Sequence, residues 1–417
     1  MITKMFGKRI LSVLLFLAGT NCYPVDNPRD PFANVSKPYT PAGGIGTSNT
    51  SVPYYHPLSD FDYQSLLLAL NQEYIELDLF NYGLAKFSEK DFADAGLNSA
   101  DRELIHFMAI QEVGHAELIS NMLGKSAPTR CNYTYPFETV PEFISFAQQL
   151  TRWGESGVYG FLSHLNSRGA ASLLLQSITT EARQQFVFRQ FQGLNPMPYD
   201  FIVGVPQSFL WTLLAPYITS CPSTNPKIEF SNFPALKILS GPDALSNSTG
   251  ARPAISTVNN TLTKPGRRVK FAWEDPGLPV GWVPIENATD INYNNAGDYN
   301  GSTTGVFNGS SVKSTDSGKG ISGKKLYNTS SLAKGPAKYA AWISQLNTTY
   351  TPLHDVTSDN TAWTLQPNTT VFPRTNSTIV NGTAFVALVD EKVPVTSFNL
   401  TEINEHVVAG PALYQAG

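Results

Sequence analysis

The chain reads as an α+β protein of two parts: a four-helix bundle with a short fifth helix, then a β-rich, sandwich-like module. Three observations predict this. Residues 59 to about 220 place apolar side chains at three-and-four spacing, the period of a helix. From about residue 233 the pattern changes to short β-branched and aromatic runs between Gly, Pro and Asn turns. At 417 residues the chain is long for one typical domain and comfortable for two.

Residues 1–22 read as a secretory signal. Lys4, Lys8 and Arg9 form a basic start, ILSVLLFLA follows, and GTNC supplies small or polar residues, with cleavage expected near Thr20 to Cys22. The apolar run is too short to span a bilayer. Losing the three basic residues takes the formal charge from −4 to −7, so no charge argument favours nucleic acid or an anionic membrane as a partner. Residues 23–57, rich in Pro, Gly, Ser and Asn, read as a flexible arm.

Residues 58–222 hold the bundle. The first helix carries a stripe of Leu66, Leu70, Glu73, Leu77, Phe80 and Leu84, with Ser59 and Asp62 as its start signal. The second carries Leu104, Met108, Gln111, His115, Leu118 and Met122, with Glu112 beside the stripe. The third opens on the capping box Thr139-Val-Pro-Glu142 and continues through Phe143, Ala147, Leu150, Val158, Leu162 and Leu165, with Glu155 on the same face. The fourth aligns Ala171, Leu174, Ile178, Glu181, Gln185 and Phe188, and a shorter helix is expected over residues 206–217. Short joins make helices one and two, and three and four, antiparallel neighbours. The link over residues 124–138 reaches about 50 Å when extended, at ~3.3 Å per residue. A helix of two dozen residues is roughly 36 Å long. The link can therefore run the length of the bundle, which is the single-crossover connectivity of ferritin-like bundles.

Each main helix thus offers a carboxylate on or beside its inward stripe: Glu73, Glu112, Glu155 and Glu181. An ionised carboxylate is costly to bury alone. A pair of metal ions gives four of them a common reason, because the cations cancel their charge. Glu112 and His115, three apart on a helix, point at one ion. A full ferritin-like di-metal site takes one Glu from each of two helices and Glu-x-x-His from each of the other two. Here Gln184 stands where the second His belongs. Neither His106 nor His164 fills in, since each falls on the far side of its helix. The other reading is a buried polar network satisfied by hydrogen bonds and Arg183.

The stretches ALNQEYIELDLF, MAIQEVGHAELI, SITTEARQQFVFRQF and VPQSFLWTLLAPYITSCP resemble the secreted ferritin-like proteins of fungi linked to starvation and stress, which are related to plant desiccation-related proteins. KYAAWISQLNTTYTPL and HVVAGPALYQAG resemble the same group. The resemblance implies a ferritin-like domain, secretion, and a stress or nutrient-limitation context. Against the bacterial ferritin-like pattern the chain keeps Glu73, Glu112, His115, Glu155 and Glu181 and departs at Gln184.

Residues 233–417 form the β-rich module. PALKIL, RRVKFAW, GWVPI, AAWISQL, TTYTPL, TVFP and AFVALV are its expected strands, and a long glycosylated loop is expected over about 290–335. Trp273, Trp282, Trp342 and Trp363 either fill a core or stack on sugars. Sequons fall at Asn34, Asn49, Asn132, Asn247, Asn259, Asn287, Asn300, Asn308, Asn328, Asn347, Asn368, Asn376, Asn381 and Asn399. Cys131 and Cys221 are expected to form a disulfide in an oxidising compartment, and no lipid-anchor tail or second membrane segment is visible. No Ser-His-Asp order, phosphate loop or zinc-type Cys/His spacing occurs, and Lys264 to Lys270 reads as a solvated basic loop. The expected role is a secreted, stress- or starvation-associated glycoprotein of the cell surface or wall, acting without turnover. The alternatives are a di-metal protein or oxidase using iron or manganese, and a binder of wall polysaccharide through the C-terminal module.

Overall fold

The computed structural model describes residues 55–241, 262–280, 283–285, 327–373 and 377–417. The expected signal, nearly all of the arm, most of the 290–335 loop, Trp282, and the sequons at Asn34, Asn49, Asn247, Asn259, Asn287, Asn300, Asn308 and Asn376 lie outside the described residues.

Among the described residues six α-helices form the first half: α1 (Asp60–Lys86), α2 (Glu89–Asp94), α3 (Ser99–Leu123), α4 (Val140–Leu162), α5 (Arg168–Phe191) and α6 (Gln207–Leu214). Their starts follow from local chemistry. The Ser59 hydroxyl accepts from the Asp62 amide, and Thr139 with Glu142 closes a reciprocal capping box, as the sequence predicts. A second such box, Asn98 with Asp101, starts α3. α2 is an extra turn-and-a-half inside the first join, capped by Ser88 and Asp91. α6 begins after Pro206 and tightens into a 3-10 turn at Ala215–Tyr217.

α1 pairs with α3, α4 pairs with α5, and α1 also packs on α4, so two hairpins are joined by the link from α3 to α4. That link runs lengthwise along α1. Tyr74 donates to the Pro128 carbonyl, Tyr135 to Asp78, and Lys86 to the Phe137 carbonyl, so the link and the helix advance in the same direction. The Cys131–Cys221 disulfide and the short pairing of β1 (Asn132–Tyr133) with β2 (Ile218–Pro222) fasten it to the end of the helical half. α1 is consequently buried round most of its circumference. The face of α3 is turned by about one residue from the expected stripe. Ile105, Met108, Glu112, His115, Ile119 and Met122 face inward, toward α1 and, at fewer positions, α5, whereas Leu104 and Gln111 are exposed.

The β-rich half adds β3 (Leu236–Ile238), β4 (Arg268–Trp273), β5 (Pro279–Val280), β6 (Val283–Ile285), β7 (Tyr327–Asn328), β8 (Tyr339–Ser344), β9 (Asn347–Pro352), β10 (Thr361–Leu365), β11 (Thr383–Val389) and β12 (Val407–Gln415). A four-stranded sheet in the order β12-β11-β8-β9 lies against a three-stranded sheet in the order β10-β4-β3. Trp342, Val386, Leu388 and Tyr414 meet Val269 and Phe271 between them. The other face of the larger sheet, through Ile343, Phe385 and Val389, packs on Val203, Val205 and Phe209 at the start of α6. β11 is therefore covered on both faces, which is why TAFVALV is apolar without alternation. Covering that second face gives the helical and β-rich halves one shared apolar cluster. TVFP, expected as a strand, makes only an isolated bridge from Thr370 to Thr378. β10 and β12 are strands that the expected set did not contain. Among the described residues no helix is long and apolar enough to cross a membrane.

Candidate metal centre

The four long helices each present a pair of polar residues three apart at one level of the bundle. α1 offers Glu73 and Glu76, α3 offers Glu112 and His115, α4 offers Arg152 and Glu155, and α5 offers Glu181 and Gln184. Residues three apart lie on one helical face, so each pair points the same way. All eight side chains are buried. Two trios can each place ligand atoms within 4.8 Å of one another: Glu73, His115 and Glu181, and Glu73, Glu76 and Glu112.

The imidazole is held in one orientation. Thr180 donates its hydroxyl proton to the Ser177 carbonyl at 2.8 Å, so its oxygen accepts from Nε2 of His115 at 2.9 Å. Nε2 therefore carries a proton, and Nδ1 faces Glu112 Oε2 at 2.9 Å and Glu73 Oε2 at 3.4 Å. A lone pair aimed at two carboxylates is repulsive. Nδ1 must carry a second proton or bind a cation. Fixing a histidine through its other nitrogen is what a metal ligand requires. Gln184 turns its amide nitrogen inward, donating to Oε1 of Glu112 and, at 3.3 Å, to Gln111. Gln72 donates to Oε1 of Glu76 at 3.0 Å.

The electrostatics follow from burial and crowding. Burial pushes the Glu73 carboxyl up to about 7, against the pull of His115. Burial and then the charges of Glu112 and Glu73 raise Glu76 well above the usual carboxylate range. Glu181 rises likewise through burial and the neighbouring Glu76 and Glu73. Burial also pushes Glu112 upward, but the His115 imidazolium outweighs it and holds that carboxyl below its ordinary value. For His115, burial alone would lower the pKa; Glu112 and Glu73 reverse this and hold it well above the usual imidazole range.

The structure thus brings together Glu73, Glu112, His115 and Glu181, with Gln184 bonded to Glu112. It adds Glu76, which a count of one carboxylate per helix passes over. The signal was available, since Glu73-x-x-Glu76 repeats the spacing of Glu112-x-x-His115. Glu155 belongs to neither trio and forms an ion pair with Arg152 at 2.6 Å. Arg183, the arginine expected from sequence, is exposed; the arginine paired with a carboxylate of this level is the buried Arg152. His106 pairs with Glu103, and His164 is exposed on the α4–α5 turn.

Hard oxygen donors with one imidazole suit iron or manganese. Buried acceptors need partners, yet Glu73 Oε2, Glu76 Oε2, Glu181 Oε2 and Gln184 Oε1 make no hydrogen bond. A cation is the partner that would satisfy such a set, so the residues fit a metal.

Elsewhere, Trp342 is buried between the sheets and Trp273 packs against the same core. The Arg268 guanidinium carbon lies 3.8 Å from the Trp363 ring centroid and the stacked His354 ring lies 4.4 Å away. Two groups that close occupy opposite faces, so Trp363 has no open face for a sugar. Asn328, Asn347 and Asn368 are exposed, whereas Asn132, Asn381 and Asn399 are partly buried and use their amides internally.

Residues 61–194 match the family model described as a ferritin-like domain. The chain is also similar to Protein rds1 of Schizosaccharomyces pombe, at 49% identity over 391 residues, covering 91% of this chain and 86% of that protein.

Proposed function

The chain belongs to the ferritin-like family that includes Protein rds1 of Schizosaccharomyces pombe, and on that premise we propose that its bundle binds divalent iron or manganese in a secreted, stress-associated glycoprotein of the cell surface or wall. The observation that carries the metal assignment is the orientation of His115. Thr180 fixes Nε2 as a donor and turns Nδ1 onto two buried carboxylates. Glu73, Glu76, Glu112, Glu181 and His115 would hold the metal, which supplies Lewis acidity and, for iron or manganese, redox capacity when bound.

The placement outside the cell rests on the basic-then-apolar N-terminus, the fourteen sequons and the Cys131–Cys221 disulfide. Disulfides persist mainly in oxidising compartments. The stress or nutrient-limitation context rests on the resemblance to fungal starvation-linked proteins. In the C-terminal module Trp273 and Trp342 pack into the core and Trp363 lies between Arg268 and His354, so these three lend the wall-polysaccharide reading no support.

Elemental analysis tests the metal proposal. The protein is purified from its own secretory host beside a Glu112→Ala/His115→Ala variant. Near-stoichiometric iron or manganese that disappears in the variant is the expected result. Metal-free protein in both preparations, each folded by circular dichroism, would overturn the proposal.

A further inference from the structure

The two trios share only Glu73, and no four of these side chains meet the 4.8 Å limit together. Ligand atoms of one transition-metal ion lie at most about 4.4 Å apart, twice a bond of ~2.2 Å. A single ion therefore cannot collect Glu76, Glu112, His115 and Glu181 from these positions. Resting on the metal-binding proposal above, we infer that the bundle holds two divalent ions sharing Glu73, and that Glu76 of α1 completes the second position in place of Glu155 of α4 and the histidine absent at Gln184.

Charge supports this division. Glu73, Glu76, Glu112 and Glu181 carry four negative charges when ionised, and two divalent ions cancel them with His115 neutral. One ion would leave two buried charges uncompensated, which is costly. The fifth carboxylate, Glu155, already has its counter-charge in Arg152 at 2.6 Å, and both are buried. Arg152 stacks in turn over the Tyr199 ring, 5.0 Å from its centroid, which anchors it away from the trios. Glu76 is free to serve. Gln72 donates to one of its oxygens, and the other, Oε2, is buried without a partner. Gln184 is then a positioning residue. Its amide N–H holds Glu112, and that N–H donor cannot itself bind a cation.

The two positions differ in kind. Glu73, His115 and Glu181 make a mixed nitrogen and oxygen site. Glu73, Glu76 and Glu112 make an all-carboxylate site suited to a hard ion such as Mn²⁺.

The test counts bound Mn²⁺ on the full-length secreted glycoprotein, by loss of the free-ion electron paramagnetic resonance signal during titration. Wild type should take up about two ions per chain, as a ferritin-like pair does. Glu76→Gln and His115→Gln should each retain about one, while Arg152→Met/Glu155→Met, which replaces the ion pair by apolar groups of similar volume, should retain about two. Thermal unfolding of each metal-free variant confirms that it is folded. About one ion on wild type would overturn the inference and leave metal binding intact. No ion on wild type would overturn the reading on which it rests. Two ions on Glu76→Gln, with one lost from the Arg152/Glu155 variant, would put the second position on α4 and also overturn it.

Discussion

Glu73→Gln in the chelated, metal-free protein should abolish a large pH dependence of stability. Burial raises the Glu73 carboxyl from 4.5 to about 7. The folded state therefore keeps this proton longer than the unfolded state does. Stability from this group is full below the unfolded value of 4.5 and is lost as pH climbs through the folded value of about 7. At ~1.36 kcal/mol per pKa unit the loss reaches about 3 kcal/mol by pH 8. Glutamine mimics the protonated acid in shape and carries no proton to lose. The variant and wild type should be equally stable near pH 4, and the variant should be more stable by about 3 kcal/mol near pH 8. Glu73 titrates together with Glu112 and His115, so the change spreads over more than the width of one titration. Urea unfolding at a series of pH values in chelator gives the difference directly. If the variant is destabilised equally at both ends, Glu73 is not a buried acid straining toward its neutral form, and the reasoning fails.

Arg152→Met leaves Glu155 buried with no counter-charge and should cost about 3–5 kcal/mol, which Arg152→Met/Glu155→Met should largely restore; urea midpoints decide. Two glycines in the long helices should respond in opposite directions. A Cβ on Gly114 of α3 meets nothing, so Gly114→Ala should stabilise by about 0.5–1 kcal/mol, whereas a Cβ on Gly160 of α4 would overlap the Val205 carbonyl, so Gly160→Ala should lower the melting temperature. Glycopeptide mass spectrometry should find sugar on the exposed Asn328, Asn347 and Asn368 and none on Asn381, whose amide donates to the Pro198 carbonyl beside the tight Gly382–Tyr199 contact.

The helical half was legible because its signals are local. Ser59, Thr139 and Glu142 act within one turn, and the stripes of α1, α4 and α5 repeat over several turns. The α3 stripe was misplaced by a residue because Leu104 and Leu118 are apolar yet outward or half-outward, and period alone cannot say which of two adjacent stripes α1 will cover. In the β-rich half AFVALV was plain, since a strand buried on both faces needs no alternation. TAWTL and VVAGPALYQ were not, because each is defined by its neighbours: β10 by pairing with β4, and β12 by its place at the sheet edge beside β11. At the site, Glu73, Glu112, His115 and Glu181 followed from spacing. Glu76 and Arg152 did not, because which buried charges neutralise each other depends on side-chain reach across the bundle.

The metal-free bundle must fold around Glu73, Glu76, Glu112, Glu155 and Glu181, all buried, before any ion can satisfy them. For Glu73 alone that costs about 3 kcal/mol above neutral pH. The offset lies outside the site. Cys131 and Cys221 are 90 residues apart, and closing a loop of that size restricts the unfolded chain by about 4–5 kcal/mol on the chain-entropy model. The same bridge ties the α3–α4 crossover, already laid along α1 by Tyr135 and Lys86, to the strand that follows α6. The helix bearing both Glu73 and Glu76 is thus the one most enclosed by α3, α4, the crossover and α6. An oxidised, correctly bridged chain can then tolerate an empty acidic centre, whereas a reduced one at the same pH loses that offset. Breaking the bridge with Cys131→Ser/Cys221→Ser should therefore make the folded yield depend on added manganese more strongly than in wild type. Equal dependence in both proteins would mean that the site is stable without help from the crossover.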